Sequence, residues 1–528
     1  MTARPAVGAP SVLLAPHAVA RWAQEVPDRI ATQDVSGGSR TYAQLHDEAR
    51  RWAAAFRRTG VEAQSHVATL LPNGPTAHAA WLGLGWLRAR EVPLNTALVG
   101  TLLHDALLRS DATTLVVDAS LADRLQGLDE LPALRTTIVL GAAAPDGMPG
   151  EVLSGADFFA GVEPAVDLEG PVYRDVAMVL FTSGTTGPSK PVLVPWSVVL
   201  QFWSWVPDDT LGEAEALYGP LPIVHNSGRS AMNYALSRGA TFVHRERFSG
   251  TDFWADVRRF NCRAAALVGP MTAFLEAQPP CDDDADNPLR AVIAGPLIPQ
   301  VEEFKKRFDV EMATCYGMTE TGICLVTGWD HGPWQSCGRP RDDYPWSEVR
   351  IVDEHDEPVG VDEVGELIVR SAEPWSLNAG YYGMPEATAT AWRNGWFHTG
   401  DAFRCDDAGN YYLVDRLKDA IRRRGENISS FEVESVASGY DGVGEVAAFG
   451  VPATLGEDEV MIVVEAEDGA LVEPEALHAW LAERLPKFMV PRYIEVGALP
   501  RNATTRRVKK FELRDRGVTS TTWDADGR

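Results

Sequence analysis

The sequence predicts an α/β protein: a large N-terminal domain of layered α/β subdomains with an added β subdomain, then a small α+β domain. Three observations predict it. The middle of the chain alternates short β-rich runs with helical patterns, which argues for parallel α/β layers. After Trp346 the pattern changes to paired, alternating β runs, and beyond Lys418 it becomes mixed again. This places a boundary between 1–417 and 418–528. A chain of 528 residues with 45% hydrophobic content is long enough for several packed cores.

Near the N-terminus, "SVLLAPHAVARW" is apolar only briefly and is broken by Pro16, while "HAAWLGLGWLRAR" is too short to span a bilayer. No targeting or membrane segment is expected. The six cysteines form no C-x-x-C pair, which fits reduced thiols in a cytoplasmic protein better than a zinc module or disulfide framework. A formal net charge of −26 argues against nucleic acid as a partner, because that affinity needs clustered Lys and Arg. Any anionic ligand must be met by local positive charge.

Val176 to Phe181 reads as a buried strand, and "TSGTTGPSK" comes directly after it. Gly184 and Gly187 permit close backbone approach. Thr182, Ser183, Thr185 and Thr186 can donate inward as an anion nest, and Lys190 adds a point charge. A Walker A loop does not fit, since Lys190 precedes Pro191 and no magnesium-binding hydroxyl comes after it. Farther on, "RAVIAG", "PQVEEFKKRF" and "VEMATCYG" read as strand, amphipathic helix and strand, with strand ends at Gly295 and Tyr316. Parallel sheets bind ligands outside such ends, so three loops are expected to converge on one crevice. The acidic "CDDDADNP" tract between them reads as a solvated loop. "EVRIVDEHDEPVGVDEVGELIVR" reads as a hairpin of the β subdomain, "EPEALHAWLAERL" as a helix and "RYIEV" as a strand of the last domain.

Four stretches carry candidate chemistry. The first is the Thr182–Lys190 loop. In "CYGMTETG", Tyr316 can stack on a base, Thr319 can donate to a phosphate oxygen, and Glu320 offers a hard oxygen to magnesium. In "GWFHTGD", Asp401 is a candidate acceptor for ribose hydroxyls. In "DRLKDAIRRRGENISSFEVE", basic residues from Arg416 to Arg424 precede Gly425.

In this order and spacing the four stretches resemble the ANL superfamily of adenylate-forming enzymes over nearly the whole chain. The resemblance implies a mobile C-terminal domain and an AMP-forming ligase: ATP converts an acid to an acyl-adenylate, pyrophosphate leaves, and the acyl group passes to CoA. It further implies that Thr182 to Lys190 hold the β- and γ-phosphates and that Gly295, Pro296, Cys315 and Tyr316 line the adenine. Thr319 would meet the α-phosphate, Glu320 the magnesium, and Asp401 with Arg416 the ribose. Lys418 would be the hinge, and Gly425 would face the acceptor side. "LPIVHNSG" resembles the stretch whose histidine gates the acyl pocket, here His225 beside Asn226, with Gly317 and Met318 also lining it.

No Asp lies in Val224 to Gly228 to hold an α-ammonium, so a free amino acid is disfavoured. The C-terminal "LPKFMVPRYIEVGALPRN" and "VKKFELRDRGVTSTTWD" resemble the carnitine/crotonobetaine-CoA ligase-like branch, which implies a small-molecule acid as substrate. The sequence departs from the pattern at Pro191, where Gly is usual, and at Trp196, where His is common. It also places Arg507 where the C-terminal catalytic lysine is expected, with Lys509 and Lys510 as alternatives. Those departures keep other readings open. One is adenylation with a non-CoA acceptor, such as an ATP-dependent diazotase activating nitrite for an aromatic amine, or an amide-forming or carrier-loading ligase. Another is a nucleotide-binding protein without turnover.

Overall fold

A computed structural model describes residues 11–182, 189–344, 347–416, 421–423, 426–428, 430–452, 458–485, 487, 489–501 and 508–527. The chain divides into two compact units. The first contains the residues through Thr182, Lys190–Val349 and Val369–Phe397; the second contains Arg350–Ile368 and the chain from His398 onward.

Strands β1 (Ile30–Asp34) and β2 (Ser39–Thr41) come first. Then β3 (His66–Leu70), β4 (Arg90–Pro93), β5 (Thr114–Asp118), β6 (Thr136–Leu140), β7 (Glu151–Ser154), β8 (Val176–Thr182) and β9 (Lys190–Pro195) build one seven-stranded sheet. Its order is β7-β6-β5-β3-β4-β8-β9. The first six strands in that order run parallel, and β9 folds back antiparallel on β8. Strands β10 (Ala216–Gly219), β11 (Thr241–His244), β12 (Cys262–Val268), β13 (Ala291–Gly295) and β14 (Glu311–Ala313) join β1 and β2 in a second sheet, order β14-β13-β12-β10-β11-β1-β2. The inner parallel strands, such as β5, β6, β8, β12 and β13, read in sequence as near-continuous apolar runs because both faces are covered, whereas the edge strands β2 and β7 are short and partly exposed.

The helices obey local signals. Tyr42–Arg58 starts at a capping box between Thr41 and Gln44. Pro16 does not break the N-terminal apolar stretch as expected. It sits in the first turn of helix Ala15–Glu25, where its missing N–H costs nothing. Trp196 is core: it is 1% exposed and stacks on Trp81 with ring centroids 5.0 Å apart. Where the family often has a histidine, this chain uses the position for packing.

The strand–helix–strand unit at 290–318 differs from expectation in one respect. Strand β13 and helix Val301–Phe308 form as predicted, and β14 lies parallel to β13. However, "VEMATCYG" is not one strand. The parallel strand ends at Ala313, and the chain enters β15 (Cys315–Met318), which pairs antiparallel with β16 (Gly322–Val326) in a separate three-stranded sheet completed by β17 (Arg339–Pro340). The switch occurs at Thr314, whose N–H donates to Thr327 Oγ1 while Thr327 Oγ1 donates to Thr314 O. That two-way clasp satisfies the backbone at the break.

The hairpin expected after Trp346 is present as β18 (Ser347–Val352) and β19 (Gly365–Ser371). They share a five-stranded sheet with β20 (Trp392–Arg393), β21 (Trp396–Cys405) and β22 (Tyr411–Arg416). In the second unit, β23 (Ile421–Arg423) pairs with β24 (Glu426–Ile428). Strands β25 (Val443–Pro452), β26 (Asp458–Ala466), β27 (Tyr493–Val496) and β28 (Trp523–Asp524) form a mixed four-stranded sheet. Helix Pro474–Ala482 buries Leu477 and Leu481 in the core containing Ile462 and Ile494. This is the α+β pattern read from the sequence.

Candidate active site

In the first unit the structure brings several predicted residues together. Gly295 ends β13, and a Cβ there would lie 3.7 Å from Cys315 O, so the backbones of β13 and β15 meet at this point. Tyr316 is 9% exposed and Cys315 is half-buried. Burial pushes the Cys315 thiol up to about 12, so it is a packing group and not a nucleophile. Gly317 is required by close approach: a Cβ would stand 2.1 Å from Gly322 O across the hairpin. Met318 N–H donates to Thr321 Oγ1, which closes the turn holding Thr319 and Glu320.

Glu320 is buried at 4% exposure. Its backbone carbonyl accepts from Asn378 N–H and Asn378 Nδ2, at 2.8 and 2.9 Å, and its Oε1 accepts from the Tyr381 hydroxyl at 3.1 Å. The Tyr381 ring lies beneath Lys190, whose Nζ is 4.8 Å from the ring centroid. Lys190 opens β9 opposite Thr182 of β8. The loop cation and the turn carboxylate therefore share one aromatic neighbour. Neither Asn378 nor Tyr381 stood out in the sequence; the available signal was the glycine-flanked pair in "NAGYYG", whose partners lie far away in the chain.

The segment around Tyr381 also explains how Pro191 is tolerated. Leu193 N–H donates to Gly380 O, Ala379 N–H to Leu193 O, and Tyr382 N–H to Pro191 O, so 379–382 runs along the outer edge of β9. In a strand the N and O of one residue face the same neighbour. Pro191 thus turns its missing donor toward 379–382, leaving the β8 ladder intact.

His225 precedes helix Asn226–Ser237, and its carbonyl accepts from Gly228 N–H. Asn226 is 3% exposed, with Oδ1 accepting from Ser230. The same helix carries Arg229, fully buried and forked onto Glu91 at 2.6 and 2.7 Å, with Thr69 also donating to Glu91. Burial raises the Glu91 carboxyl and lowers the Arg229 guanidinium, and each group's charge opposes the other's shift. The pair ties the His225 helix to β3 and β4.

In the second unit, Asp401 is 2% exposed and faces Arg416 across the β21–β22 ladder. Its approach is built by neighbours. Glu366 accepts from Gly400 N–H at 2.9 Å and bonds His398 Nδ1 at 2.8 Å, Thr399 donates to Leu367 O, and Asp401 N–H donates to Thr399 Oγ1. Gly400 has φ +71°, a conformation that favours glycine. Ser183, Gly184, Thr185, Thr186, Gly187, Lys418, Gly425 and Arg507 lie outside the described residues. Lys510 is paired with Glu434 at 2.7 Å and Lys509 with Glu512 at 2.6 Å.

Residues 19–382 match the family described as AMP-binding enzyme, and 432–506 match the AMP-binding enzyme C-terminal domain. The chain belongs to the AMP-binding enzyme family. This AMP-binding enzyme is 30% identical to crotonobetaine/carnitine–CoA ligase from Citrobacter koseri over 487 residues, covering 89% of this chain and 92% of the relative. The corresponding protein from Salmonella arizonae is 31% identical over 484 residues, with the same coverage. Among solved structures, o-succinylbenzoate-CoA synthetase from Bacillus subtilis bound to its acyl-adenylate superposes with a TM-score of 0.80 at 24% identity, covering 94% of this chain and 98% of that one. An amide bond synthetase from Marinactinospora thermotolerans gives 0.79 at 26% identity, covering 95% and 99%. The layered α/β fold with an α+β C-terminal part is thus the family fold, and the protein is an adenylate-forming, AMP-forming ligase.

Glu320 of this AMP-binding enzyme has the chemistry to join a magnesium–phosphate ligand. Magnesium is held by one or two carboxylates plus substrate phosphates, and the buried Glu320 carboxylate supplies one hard oxygen pair of that kind. Among the described residues the one cluster of three potential metal-ligating side chains is Cys281, Asp283 and Asp284, in the acidic loop, where Asp284 is committed to Arg307 at 2.6 Å. No helix of the described residues is long and apolar enough to cross a membrane.

Proposed function

We propose that this enzyme activates a small carboxylic acid, other than a free amino acid, as its acyl-adenylate and passes the acyl group to CoA. The match to crotonobetaine/carnitine–CoA ligases over most of both chains supports the acid class and the acceptor. The single observation that carries the site is the Lys190–Tyr381–Glu320 arrangement, in which a cation and a hard carboxylate meet the same tyrosine, one at its ring and the other at its hydroxyl.

In the proposed first step a carboxylate oxygen of the acid attacks the α-phosphorus of ATP, and the bond to pyrophosphate breaks. Lys190 and the loop from Thr182 take the β- and γ-phosphates, and Thr319 meets the α-phosphate. Glu320 would hold magnesium, which would supply charge neutralisation at the phosphate oxygens. Gly295, Pro296, Cys315 and Tyr316 line the adenine, and Asp401 with Arg416 takes the ribose hydroxyls. His225, Asn226, Gly317 and Met318 line the acyl pocket. Arg507 supplies the cation usually given by lysine. The pairing of Lys509 and Lys510 with carboxylates supports that choice, and a guanidinium can bind two oxygens at once. In the second step the CoA thiolate attacks the acyl carbon and AMP leaves, with Lys418 as hinge and Gly425 on the acceptor side.

The test is pyrophosphate release with crotonobetaine, carnitine, short-chain and aryl acids and nitrite, each with CoA, with an aromatic amine, or with neither. The expected result is release with one of the acids and a thioester only when CoA is present. Release with nitrite alone among the substrates, or an amide and no thioester, overturns the proposal.

A further inference from the structure

We propose that Tyr381 is a positioning residue that serves both charged groups of the phosphate end at once, orienting Glu320 through its hydroxyl and Lys190 through its ring. This rests on the proposed function, in which Glu320 carries magnesium and Lys190 meets the phosphates. Tyr381 is itself held firmly. It is 7% exposed, it bridges Val192 of β9, and its N–H donates to Thr388 Oγ1 at 3.0 Å. On either side, 379, 380 and 382 are hydrogen-bonded to β9. A side chain rooted in such a backbone has little freedom to follow its partners, so the partners follow it.

The two contacts do different things. The hydroxyl donates to Glu320 Oε1 at 3.1 Å, which sets the rotation of the carboxylate before a metal arrives. The ring face lies 4.8 Å from Lys190 Nζ and attracts the ammonium through its quadrupole. An aromatic face orients the ammonium without neutralising it, whereas a carboxylate in that place would compete with phosphate for the same charge. One phenol therefore touches a cation through its ring and an anion through its hydroxyl, and neutralises neither. Asn378 completes the mounting by fixing the Glu320 backbone from the same segment. A change in the 378–382 segment is thereby transmitted to both ends of the site.

The experiment measures equilibrium binding of ATP by calorimetry across a magnesium titration, with no acid present, so that no turnover is needed. Four single variants are compared: Tyr381→Phe, Tyr381→Leu, Glu320→Gln and Lys190→Ala. The pair Lys190→Ala/Tyr381→Leu completes a cycle. Tyr381→Phe keeps the ring and backbone; it is expected to raise the magnesium concentration for half-maximal ATP binding about tenfold, with an unchanged melting temperature. Tyr381→Leu is expected to weaken magnesium-free ATP binding about threefold more, an increment that disappears in the Lys190→Ala background. If Glu320→Gln leaves the magnesium dependence unchanged, the assignment of the metal to Glu320 fails. If Glu320→Gln abolishes that dependence while Tyr381→Phe matches the parent, the role of Tyr381 is overturned. An equal loss from Tyr381→Leu with and without Lys190 overturns the ring contact.

Discussion

Asp401 shows how a single residue is prepared by its neighbours. A carboxylate at 2% exposure needs hydrogen-bond partners to offset its desolvation, and the backbone at Gly400 and Asp401 is clamped by Glu366 and Thr399, which fixes the point from which the Asp401 side chain projects. Under the proposed ribose assignment, two charge-assisted bonds would contribute about 1.5–3 kcal/mol each. Asp401→Ala is therefore expected to raise the ATP KM by at least about tenfold while leaving the KM for the acid unchanged. Steady-state kinetics with ATP varied checks this, and an unaltered ATP dependence sinks the ribose assignment. Arg229 makes the opposite case, a charge whose work is internal. Arg229→Met leaves Glu91 buried with Thr69 as its remaining side-chain donor and is expected to cost about 3–5 kcal/mol. Adding Glu91→Gln to it should recover part of that loss in urea unfolding. Additive losses in the double variant would show that the two residues do not act as a pair.

The β15–β16 hairpin is the element on which the site turns. It carries Cys315 and Tyr316 on one strand and Thr319 and Glu320 at its tip, and its strands approach closely enough at Gly317 that no side chain fits. Gly317→Ala must push the Gly322 backbone away, since the added methyl would stand 2.1 Å from its oxygen. Overpacking of this kind typically costs about 1–3 kcal/mol. Here the displacement is delivered to Glu320, so ATP–pyrophosphate exchange is expected to fall by about 10² or more. Gly328→Ala, just beyond the hairpin, meets nothing within 4 Å and serves as the control. If the two variants exchange equally well, the hairpin does not set the position of Glu320.

At the scale of the whole molecule, buried histidines set a pH response. Burial pushes His17, His46, His66, His78 and His244 below their ordinary value, His78 most strongly, because a fully enclosed imidazole cannot carry charge beside Arg229 and a second imidazole. Above about pH 6.5 neither the folded nor the unfolded chain protonates them, and stability is flat with respect to these groups. Below it the unfolded chain takes up protons that the folded chain refuses, so stability falls as pH falls, by up to about 1.4 kcal/mol per unit for each fully suppressed histidine. The urea midpoint is expected to drop between pH 7.5 and 5.5, a window above most carboxylate titrations. His78→Gln should drop less over the same interval. A midpoint that rises on acidification would contradict the burial of these rings.

Much of this protein is written locally. The order of "TSGTTGPSK", "CYGMTETG" and "GWFHTGD" is legible because each stretch packs its own chemistry into a few consecutive residues. The strands themselves are legible because a parallel sheet buried on both faces leaves an unbroken apolar run. Partners far apart in the chain leave no such trace. Tyr381 lies 61 residues from Glu320, and Arg229 lies 138 from Glu91, so neither contact has a period or spacing to betray it. The same holds for Trp196, which reads as a departure from a motif until Trp81 is seen against it, and for Pro191, whose harmlessness depends on which edge of β9 its nitrogen faces. It holds also for the break at Thr314, where a β-rich run is divided between two sheets by a clasp to Thr327. The sequence alone determined which chemical groups are present and which short segments carry them. Tertiary packing decided which groups meet, because contacts across the fold depend on how sheets and loops are placed and not on the spacing of residues along the chain.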